Sequence, residues 1–291
     1  MIDFHRPMPE DRAWAEPLLH CFGDVGSEAA FGMYYLWQSR FDFEIAFHKG
    51  FFVARSNSGY IFPTGEGNLD DVLQDLAEDA ARRNEPLRFL FSERFCQVLE
   101  EHCPNCYCIE ENRANADYLY RVSDLAELKG KKYHSKRNHI ARFSKKYDYS
   151  FETVTTDQQA RECVEMAENW YSANEKPAEL TDELEAIRRA FSHRETLHLV
   201  AGLLRVDGKV VAFAAGEPIN ENVFDQHFEK ALVEYDGAYA MINQAFMAHC
   251  LSEYEFVNRE EDMGIEGLRK AKMSYLPERL VNKYTAQCLH P

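Results

Sequence analysis

Residues 197–217 read LHLVAGLLRVDGKVVAFAAGE, two apolar runs on either side of Asp207-Gly208. An Asp-Gly pair between two such runs is a strong signal for a tight β-hairpin, because both turn residues there adopt positive φ. A third strand-like run, from Val223 to Phe228, follows shortly after. The three runs therefore predict an antiparallel meander in the second half of the chain.

The first half of the chain carries a similar pattern. Strand-like runs at 41–47, 50–55 and 60–63 are separated by turn-forming residues, which predicts a second antiparallel meander. An amphipathic helix is predicted at 68–83, after these strands.

Further helices flank both meanders. The apolar spacing of Phe31, Tyr34 and Trp37 predicts a packed helix with Ser27 as its N-cap. The chain is predicted to close with a strand at 279–286. The simplest account is the α+β class with mixed sheets, in two successive domains at residues 1–125 and 126–291.

The composition excludes several kinds of protein. The chain has 291 residues, 45% of them hydrophobic, so it can bury a sizeable core. No apolar run approaches the ~18 residues of a membrane span, and the first residues lack an apolar signal-peptide core. We therefore expect a cytoplasmic protein without integral membrane association.

The eight cysteines follow no repeating interval, and in a reducing compartment they are expected to be free thiols. Cys103, Cys106 and Cys108 suggest a zinc site, but no second, well-spaced ligand pair follows them. We expect no metal.

The net charge of -16 is unevenly distributed. Residues 129–146 hold eight basic side chains and no acid, so the rest of the chain carries -24. A surface this acidic excludes a general DNA-binding protein, whereas the basic segment could contact one phosphate-bearing ligand, such as tRNA. The alternative is an ordinary solvated helix face. Helical spacing predicts that Lys136 and Arg142 are both exposed.

Two other stretches could carry chemistry. Residues 227–239 run from a strand end through Gly237 into a helix, whose first N–H groups could hold a phosphate beside Lys230. In the alternative interpretation this is an ordinary helix start and Lys230 is solvated.

The other stretch, residues 258–277, places acids before a helix whose Lys272 lies at the edge of the buried face. A carboxylate near a partly buried lysine can orient a reacting amine or hydroxyl. Simple helix electrostatics explains the same pattern equally well.

These stretches resemble the family of the C-terminal domain of phosphatidylglycerol lysyltransferase, in particular its stand-alone members. The resemblance lies in SEAAFGMYYLW (27–37), in HFEKA (227–231) with GAY (237–239), and in NREED (258–262) with GLRKAK (267–272) and YLP (275–277). It covers nearly the whole chain, and the last block is the most specific.

The resemblance implies two tandem acyltransferase folds of the GNAT type, the second of which carries the active site. Relatives with this tandem fold move an aminoacyl group from charged tRNA to a lipid hydroxyl or a peptide amine. We therefore expect an acyl- or aminoacyltransferase that uses aminoacyl-tRNA or acyl-CoA as co-substrate and requires no further cofactor. The acceptor would be an amine or hydroxyl of a small molecule or peptide. The alternative is a non-catalytic GNAT-like module that binds an anionic metabolite.

The transferase hypothesis gives roles to individual residues. Asp262, with Glu261 as the alternate, would orient or deprotonate the acceptor, while Lys272 or Lys230 would stabilise negative charge on a carbonyl oxygen or phosphate. The residues expected to hold the donor are Lys230, Gly237, Ala238, Tyr239, Lys136, Arg137 and Arg142.

One departure from the GNAT pattern affects the donor. Ordinary GNAT enzymes hold the acyl-CoA pyrophosphate in an Arg/Gln-x-x-Gly-x-Gly/Ala loop, and residues 234–239, EYDGAY, stand in its place here. The leading Arg or Gln is absent and acids replace it. Weak binding of acetyl-CoA is therefore expected.

Overall fold

The computed structural model, which describes residues 1–173 and 178–289, confirms the α+β class with two mixed sheets. The helices of the described residues are α1 Arg12–His20, α2 Phe31–Leu36, α3 Gln38–Phe41, α4 Leu69–Arg83, α5 Phe95–His102, α6 Val122–Glu127, α7 His134–Lys146, α8 Asp157–Ala173, α9 Ala178–Ser192, α10 Ala238–Cys250 and α11 Glu266–Met273. The strands are β1 Glu44–His48, β2 Phe51–Ser56, β3 Gly59–Gly65, β4 Arg88–Ser92, β5 Tyr107–Glu111, β6 Asp117–Arg121, β7 Tyr149–Thr153, β8 Val200–Val206, β9 Lys209–Pro218, β10 Val223–Ala231, β11 Phe256–Asn258, β12 Arg279–Val281 and β13 Lys283–Cys288.

The six-stranded sheet has the order β1-β2-β3-β4-β13-β5. Its first three strands form the predicted antiparallel meander, and β4 then pairs parallel to β3 after the crossover through α4. The side chain of Asn68 caps α4 by accepting the N–H of Asp70, and Val72 and Leu76 of that helix are fully buried. They pack in one core with Phe62 and Phe89 of the sheet.

The seven-stranded sheet has the order β12-β6-β11-β10-β9-β8-β7. The predicted Asp-Gly hairpin joins β8 to β9, with φ of 49° at Asp207 and 79° at Gly208. Antiparallel pairing continues to β10, and β11 then lies parallel to β10. Each sheet is thus an antiparallel meander followed by one parallel pair, in agreement with the tandem GNAT-like architecture that the resemblance implies.

Two compact units divide the chain. One comprises Met1–Asp117, Glu261–Arg269 and the residues from Leu280 onward, and the other comprises Tyr118–Glu260 and Lys270–Arg279. Both units are discontinuous along the chain, whereas the predicted domains, 1–125 and 126–291, are continuous segments.

The last predicted strand, at 279–286, is wrong in one respect. It is two strands, β12 and β13, which belong to different sheets. The sequence pattern hid this break, because Val281 and Lys283, on either side of Asn282, are both extended and buried. Across the described residues, none of the helices combines the length and apolar character that crossing a membrane requires.

The predicted N-cap at Ser27 is also wrong. Ser27 lies in a short 3-10 turn, and the following α-helix begins only at Phe31, after Ala30. The main-chain N–H of Ser27 donates to Asp117 at 2.8 Å, and its hydroxyl donates to the same carboxylate at 3.3 Å. A long-range carboxylate therefore takes the part that a local cap was expected to play.

Strand β13 is held in its sheet by a buried charge network. The ammonium group of Lys283 lies 2.9 Å from Asp117 Oδ2 and also pairs with Glu28, and Lys283 is only 4% exposed. Burial opposes the charge, but the two carboxylates outweigh it and raise the pKa of Lys283. Removing the cation would leave two carboxylates in the interior without their counter-charge.

We expect Lys283→Met to lower the free energy of unfolding by about 3–5 kcal/mol, the usual cost of breaking a buried ion pair on one side. Urea denaturation followed by circular dichroism measures it. The control, Lys270→Met, removes an exposed lysine and should change the free energy by less than about 0.5 kcal/mol. A loss below about 1 kcal/mol for Lys283→Met, the range of surface pairs, would contradict this role.

Candidate functional site

The sheet of the second unit opens beside β10. Pairing with β11 covers only Val223 to Asp225, while β10 continues to Ala231. An irregularity in the pairing with β9 lies between Asp225 and Phe228, at the start of the opening. Neighbouring residues of a regular strand face opposite sides, and the extra residue at this irregularity shifts the alternation by one. His227 and Glu229, two residues apart, therefore present their side chains to opposite faces of the sheet.

On one face, His227 is surrounded by carboxylates. Its Nε2 lies 3.1 Å from Glu217, and its Nδ1 lies 2.8 Å from Glu260 and 3.6 Å from Asp225. Burial alone would lower the pKa of His227, but Asp225, Glu217 and Glu260 outweigh it and raise the pKa well above 6.5. We call these four residues the His227 cluster, whose centre is an imidazolium.

The His227 cluster could also surround a cation. Asp225, His227 and Glu260 offer ligand atoms within 4.8 Å of one another, the set among the described residues that meets this condition. An imidazole must be neutral to bind a metal, so an ion here would have to displace the proton that the carboxylates favour.

The loop after β11 turns Glu260 toward His227. Glu260 has a φ of 55°, in the left-handed region that few non-glycine residues adopt, and its N–H donates to the side chain of Asn258 at 2.7 Å. Lys272 holds the same backbone, because its ammonium donates to the carbonyl oxygens of Arg259 and, at 3.1 Å, Glu260.

On the other face, the carboxylate of Glu229 is bound from three sides. Arg259 Nη2 donates to it at 3.0 Å, Asn243 Nδ2 at 2.9 Å and Gln226 Nε2 at 3.1 Å. We call these four residues the Glu229 cluster. Four of its buried polar atoms have no hydrogen-bond partner among the described residues: Gln226 Oε1, Asn243 Oδ1, Arg259 Nε and Arg259 Nη1.

Aromatic rings connect the Glu229 cluster to the basic helix. The guanidinium of Arg259 lies 5.6 Å from the ring centre of Tyr120 and 5.1 Å from that of Tyr275. The ammonium of Lys136, on α7, lies 3.6 Å from the Tyr275 ring centre and donates to Ser274 at 2.7 Å. Burial, together with the charge of Arg259, lowers the pKa of Lys136 to about 8.

The expectation that Lys136 and Arg142 are both exposed is therefore half wrong. Arg142 has 57% of its side chain exposed and lines an open surface groove of α7 with Ser135, His139 and Lys145. Lys136 instead turns inward, because the Tyr275 ring and Ser274 offer its ammonium partners. The spacing on α7 could not reveal this, since both partners come from another part of the chain.

The side chain of Arg137 is also hydrogen-bonded within the protein. Its guanidinium donates to the carbonyl oxygen of Leu128 and, at 2.7 Å, to that of Gly130, which anchors the turn before α7. Its predicted contact with the donor stays a prediction.

Asp262, the predicted base, is fully buried in the first unit. Arg269 donates to both of its oxygens, at 2.9 and 3.0 Å, and Arg113 donates to one of them at 3.1 Å. The N–H of Gly264 completes the set at 2.8 Å. Its neighbour Glu261 is half-buried in the same unit. The catalytic roles predicted for Asp262, Glu261 and Lys272 stay predictions.

Lys230 lies beside α8 and α9. Its ammonium pairs with Glu183 at 2.7 Å and lies 4.7 Å from the ring centre of Trp170. Lys230 is therefore not solvated, and its predicted contact with the donor stays a prediction.

The predicted phosphate loop packs tightly against α7. Gly237 has a φ of 92°, and a Cβ there would lie 2.4 Å from the carbonyl oxygen of His139. Ala238 is buried, whereas Tyr239 is 39% exposed. Close packing against α7 accounts for the glycine, and the predicted contacts of Gly237, Ala238 and Tyr239 with the donor stay predictions.

Sequence reasoning did not single out the Glu229 cluster. Its signal was weak: Gln226 and Glu229 are two of several polar residues along β10, and in α10 Asn243 is followed by the equally polar Gln244. Arg259 lies in the NREED stretch at 258–262, which carries part of the family resemblance, but nothing in the sequence indicated that it pairs with Glu229.

Comparisons with known proteins agree with this architecture. The family model described as phosphatidylglycerol lysyltransferase, C-terminal, matches residues 21–287. A conserved protein of unknown function from Bacteroides thetaiotaomicron is 37% identical, with a TM-score of 0.92, over 99% of this chain and 100% of that one.

Two more distant structures share the fold. The C-terminal domain of a protein described as a lysylphosphatidylglycerol synthetase from Agrobacterium fabrum is 17% identical, with a TM-score of 0.67, over 96% of this chain and 91% of that one. L-PGS from Bacillus licheniformis is 14% identical, with a TM-score of 0.69, over 99% and 94%.

The inward position of Lys136 predicts a specific pH dependence. The folded protein binds the Lys136 proton less tightly than the unfolded chain does, because its pKa falls from 10.5 to about 8. The free energy of unfolding of the wild type should therefore rise relative to Lys136→Met as the pH increases from about 8 toward 10.5, and the difference should be constant below 8.

Urea denaturation at a series of pH values measures this difference. The control, Lys145→Met, removes an exposed amine from the same helix. The difference between its free energy of unfolding and that of the wild type should be the same at every pH. If the difference in free energy between Lys136→Met and the wild type were also independent of pH, the Lys136 ammonium would be solvated.

Proposed function

The chain belongs to the family of the C-terminal domain of phosphatidylglycerol lysyltransferase, and on that premise we propose that it is an aminoacyltransferase whose donor is aminoacyl-tRNA. The acceptor in this proposal is the amine or hydroxyl of a small molecule or a peptide. The family and the fold support transfer of an acyl or aminoacyl group in general; the choice of donor rests on the residues of the second unit.

One observation carries the choice of donor. The helix with the exposed basic groove, α7, is the same helix that sends Lys136 inward to Tyr275, and Tyr275 contacts Arg259 of the Glu229 cluster. A polyanion on the outer face of α7 would thus lie next to a buried polar site. Charged tRNA has this combination, because a phosphate backbone ends in one small, esterified amino acid.

The alternative donor, acyl-CoA, finds less support. The loop at 234–239 lacks the Arg or Gln that GNAT enzymes place at a pyrophosphate, and it carries Glu234 and Asp236 instead. Asp236 lies 3.5 Å from Arg142, so the loop also partly neutralises a cation of α7.

The Glu229 cluster provides groups for the transfer step. The acceptor nitrogen or oxygen attacks the ester carbonyl carbon, a bond to that carbon forms, and the bond from the carbon to the ribose oxygen breaks. Arg259 has Nε and Nη1 to donate to the carbonyl oxygen as it gains negative charge. Lys136, with a pKa of about 8, takes the proton of the acceptor and returns it to the ribose oxygen.

Two further groups position these residues. Lys272 donates to the backbone carbonyls of Arg259 and Glu260, and so fixes the backbone from which the Arg259 side chain extends. The His227 cluster holds Glu260 on the opposite face of the sheet. We propose that Lys272 acts through Arg259 and does not touch the substrate.

The salt dependence of tRNA binding tests the donor. Affinity should fall steeply with salt, with a log–log slope of about -0.7 to -0.9 per phosphate contact. The double variant Arg142→Glu/Lys145→Glu removes two cations of the groove and should flatten the slope by about one to two units. Filter binding of labelled tRNA across a salt series measures both slopes.

A matched double variant controls for net charge. Arg161→Glu/Lys209→Glu makes the same change of charge at exposed residues away from α7 and should leave the slope as it is in the wild type. Equal slopes for both double variants would remove α7 as the contact. Absence of tRNA binding by the wild type at low salt, where this attraction is strongest, would remove the proposed donor.

A further inference from the structure

Two buried amide oxygens of the Glu229 cluster lack hydrogen-bond partners among the described residues. They are Gln226 Oε1 and Asn243 Oδ1, on residues that are 4% and 0% exposed. A buried amide oxygen without a partner costs about 1–3 kcal/mol, so such atoms are rare in folded proteins. Two of them beside one carboxylate call for a hydrogen-bond donor, a part that a buried water can take in the free protein and that a ligand can take over.

The orientation of both amides follows from Glu229. An ionised carboxylate only accepts hydrogen bonds, so each amide must turn its NH2 group toward Glu229 and its oxygen away. A flip of either amide would set two acceptors against each other. The two oxygens are therefore a consequence of the buried charge.

The atoms of the Glu229 cluster that lack hydrogen-bond partners indicate the chemistry of a ligand that would fit them. The two amide oxygens require a group with at least two N–H or O–H donors, and an ammonium has three, whereas a hydroxyl has one. Arg259 Nε and Nη1, which bind no other atom of the described residues by a hydrogen bond, require an acceptor close by. An ammonium next to a carbonyl oxygen is the chemistry of an α-amino ester.

The cluster is also close to the protein surface. The side chains of Glu229 and Arg259 retain exposed fractions of 12% and 9%. Tyr239, at the start of α10, is 39% exposed, and the charge of Glu229 helps to raise its pKa after the larger effect of burial. A small group could thus reach the cluster on the side of Tyr239.

We propose that Gln226 and Asn243 bind the free α-ammonium group of the donor's aminoacyl ester, so that the protein selects aminoacyl groups with a free amine over N-acylated ones. This inference rests on the proposed function, since it names a feature of the same donor. An N-acylated group has no charge at this nitrogen and offers one N–H, which leaves at least one of the two oxygens without a partner.

The test compares three pools of tRNA for binding to the wild type: uncharged tRNA, tRNA charged with all the protein amino acids, and the same charged pool after N-acetylation with acetic anhydride. We expect the free-amine pool to bind at least about tenfold tighter than the acetylated pool, as lost hydrogen bonds to a charged group predict. The acetylated pool should bind like uncharged tRNA.

Three variants locate the effect. Gln226→Met and Asn243→Leu keep side-chain volume but remove the amide oxygens, and each should bring the preference for the free amine close to one. Gln244→Met is the matched control, because Gln244 lies on the same helix with its amide bound to the carbonyl of Ala126 at 3.0 Å. It should keep the preference. Unchanged affinity for uncharged tRNA shows that each variant is folded.

The outcomes separate the two proposals. Equal and tight binding of both charged pools would overturn the ammonium site and leave the proposed function in place. Binding of all three pools with one affinity, or a preference that survives in both amide variants, would overturn the ammonium site too. Absence of tRNA binding altogether would overturn the proposed function and the inference with it.

Discussion

The carboxylate of Glu229 lies on β10, in the part of that strand that β11 no longer covers, with only 12% of the side chain exposed. A charge that is so largely removed from water has to be matched. Arg259 supplies the counter-charge and the amides of Gln226 and Asn243 supply further donors. Arg259 in turn requires the Tyr120 and Tyr275 rings along its guanidinium. Tyr275 draws the ammonium of Lys136 inward from α7. One desolvated charge thus arranges the residues that connect the interior of the second unit to its basic surface.

On the opposite face of β10, buried charge is also matched, but there the central group is a cation. There one imidazolium, His227, balances several carboxylates, whereas at Glu229 one carboxylate gathers several donors. The two clusters share the backbone of Arg259 and Glu260, which Lys272 holds from outside the sheet. Replacing Lys272 would therefore disturb both faces at once.

The sequence predicted what depends on local pattern. The Asp207-Gly208 hairpin and the amphipathic helix predicted at 68–83 are confirmed, because the turn residues and the spacing of apolar residues that determine them lie within one short segment. The predictions from the sequence failed where a residue distant in the chain determines the local structure. Ser27 binds Asp117, the last strand divides at Asn282, and Lys136 faces Tyr275. The Glu229 cluster was missed for the same reason, since Gln226, Asn243 and Arg259 come from three separate elements.

Hydrogen–deuterium exchange with uncharged and charged tRNA most directly tests whether the basic helix and the Glu229 cluster form one site. Both tRNAs should slow exchange along α7, at 134–146. Only charged tRNA should also slow exchange at 226–231 and 238–243, where the aminoacyl group would meet the cluster. The same protection with both tRNAs, or protection that leaves α7 and β10 unchanged, would contradict a shared site.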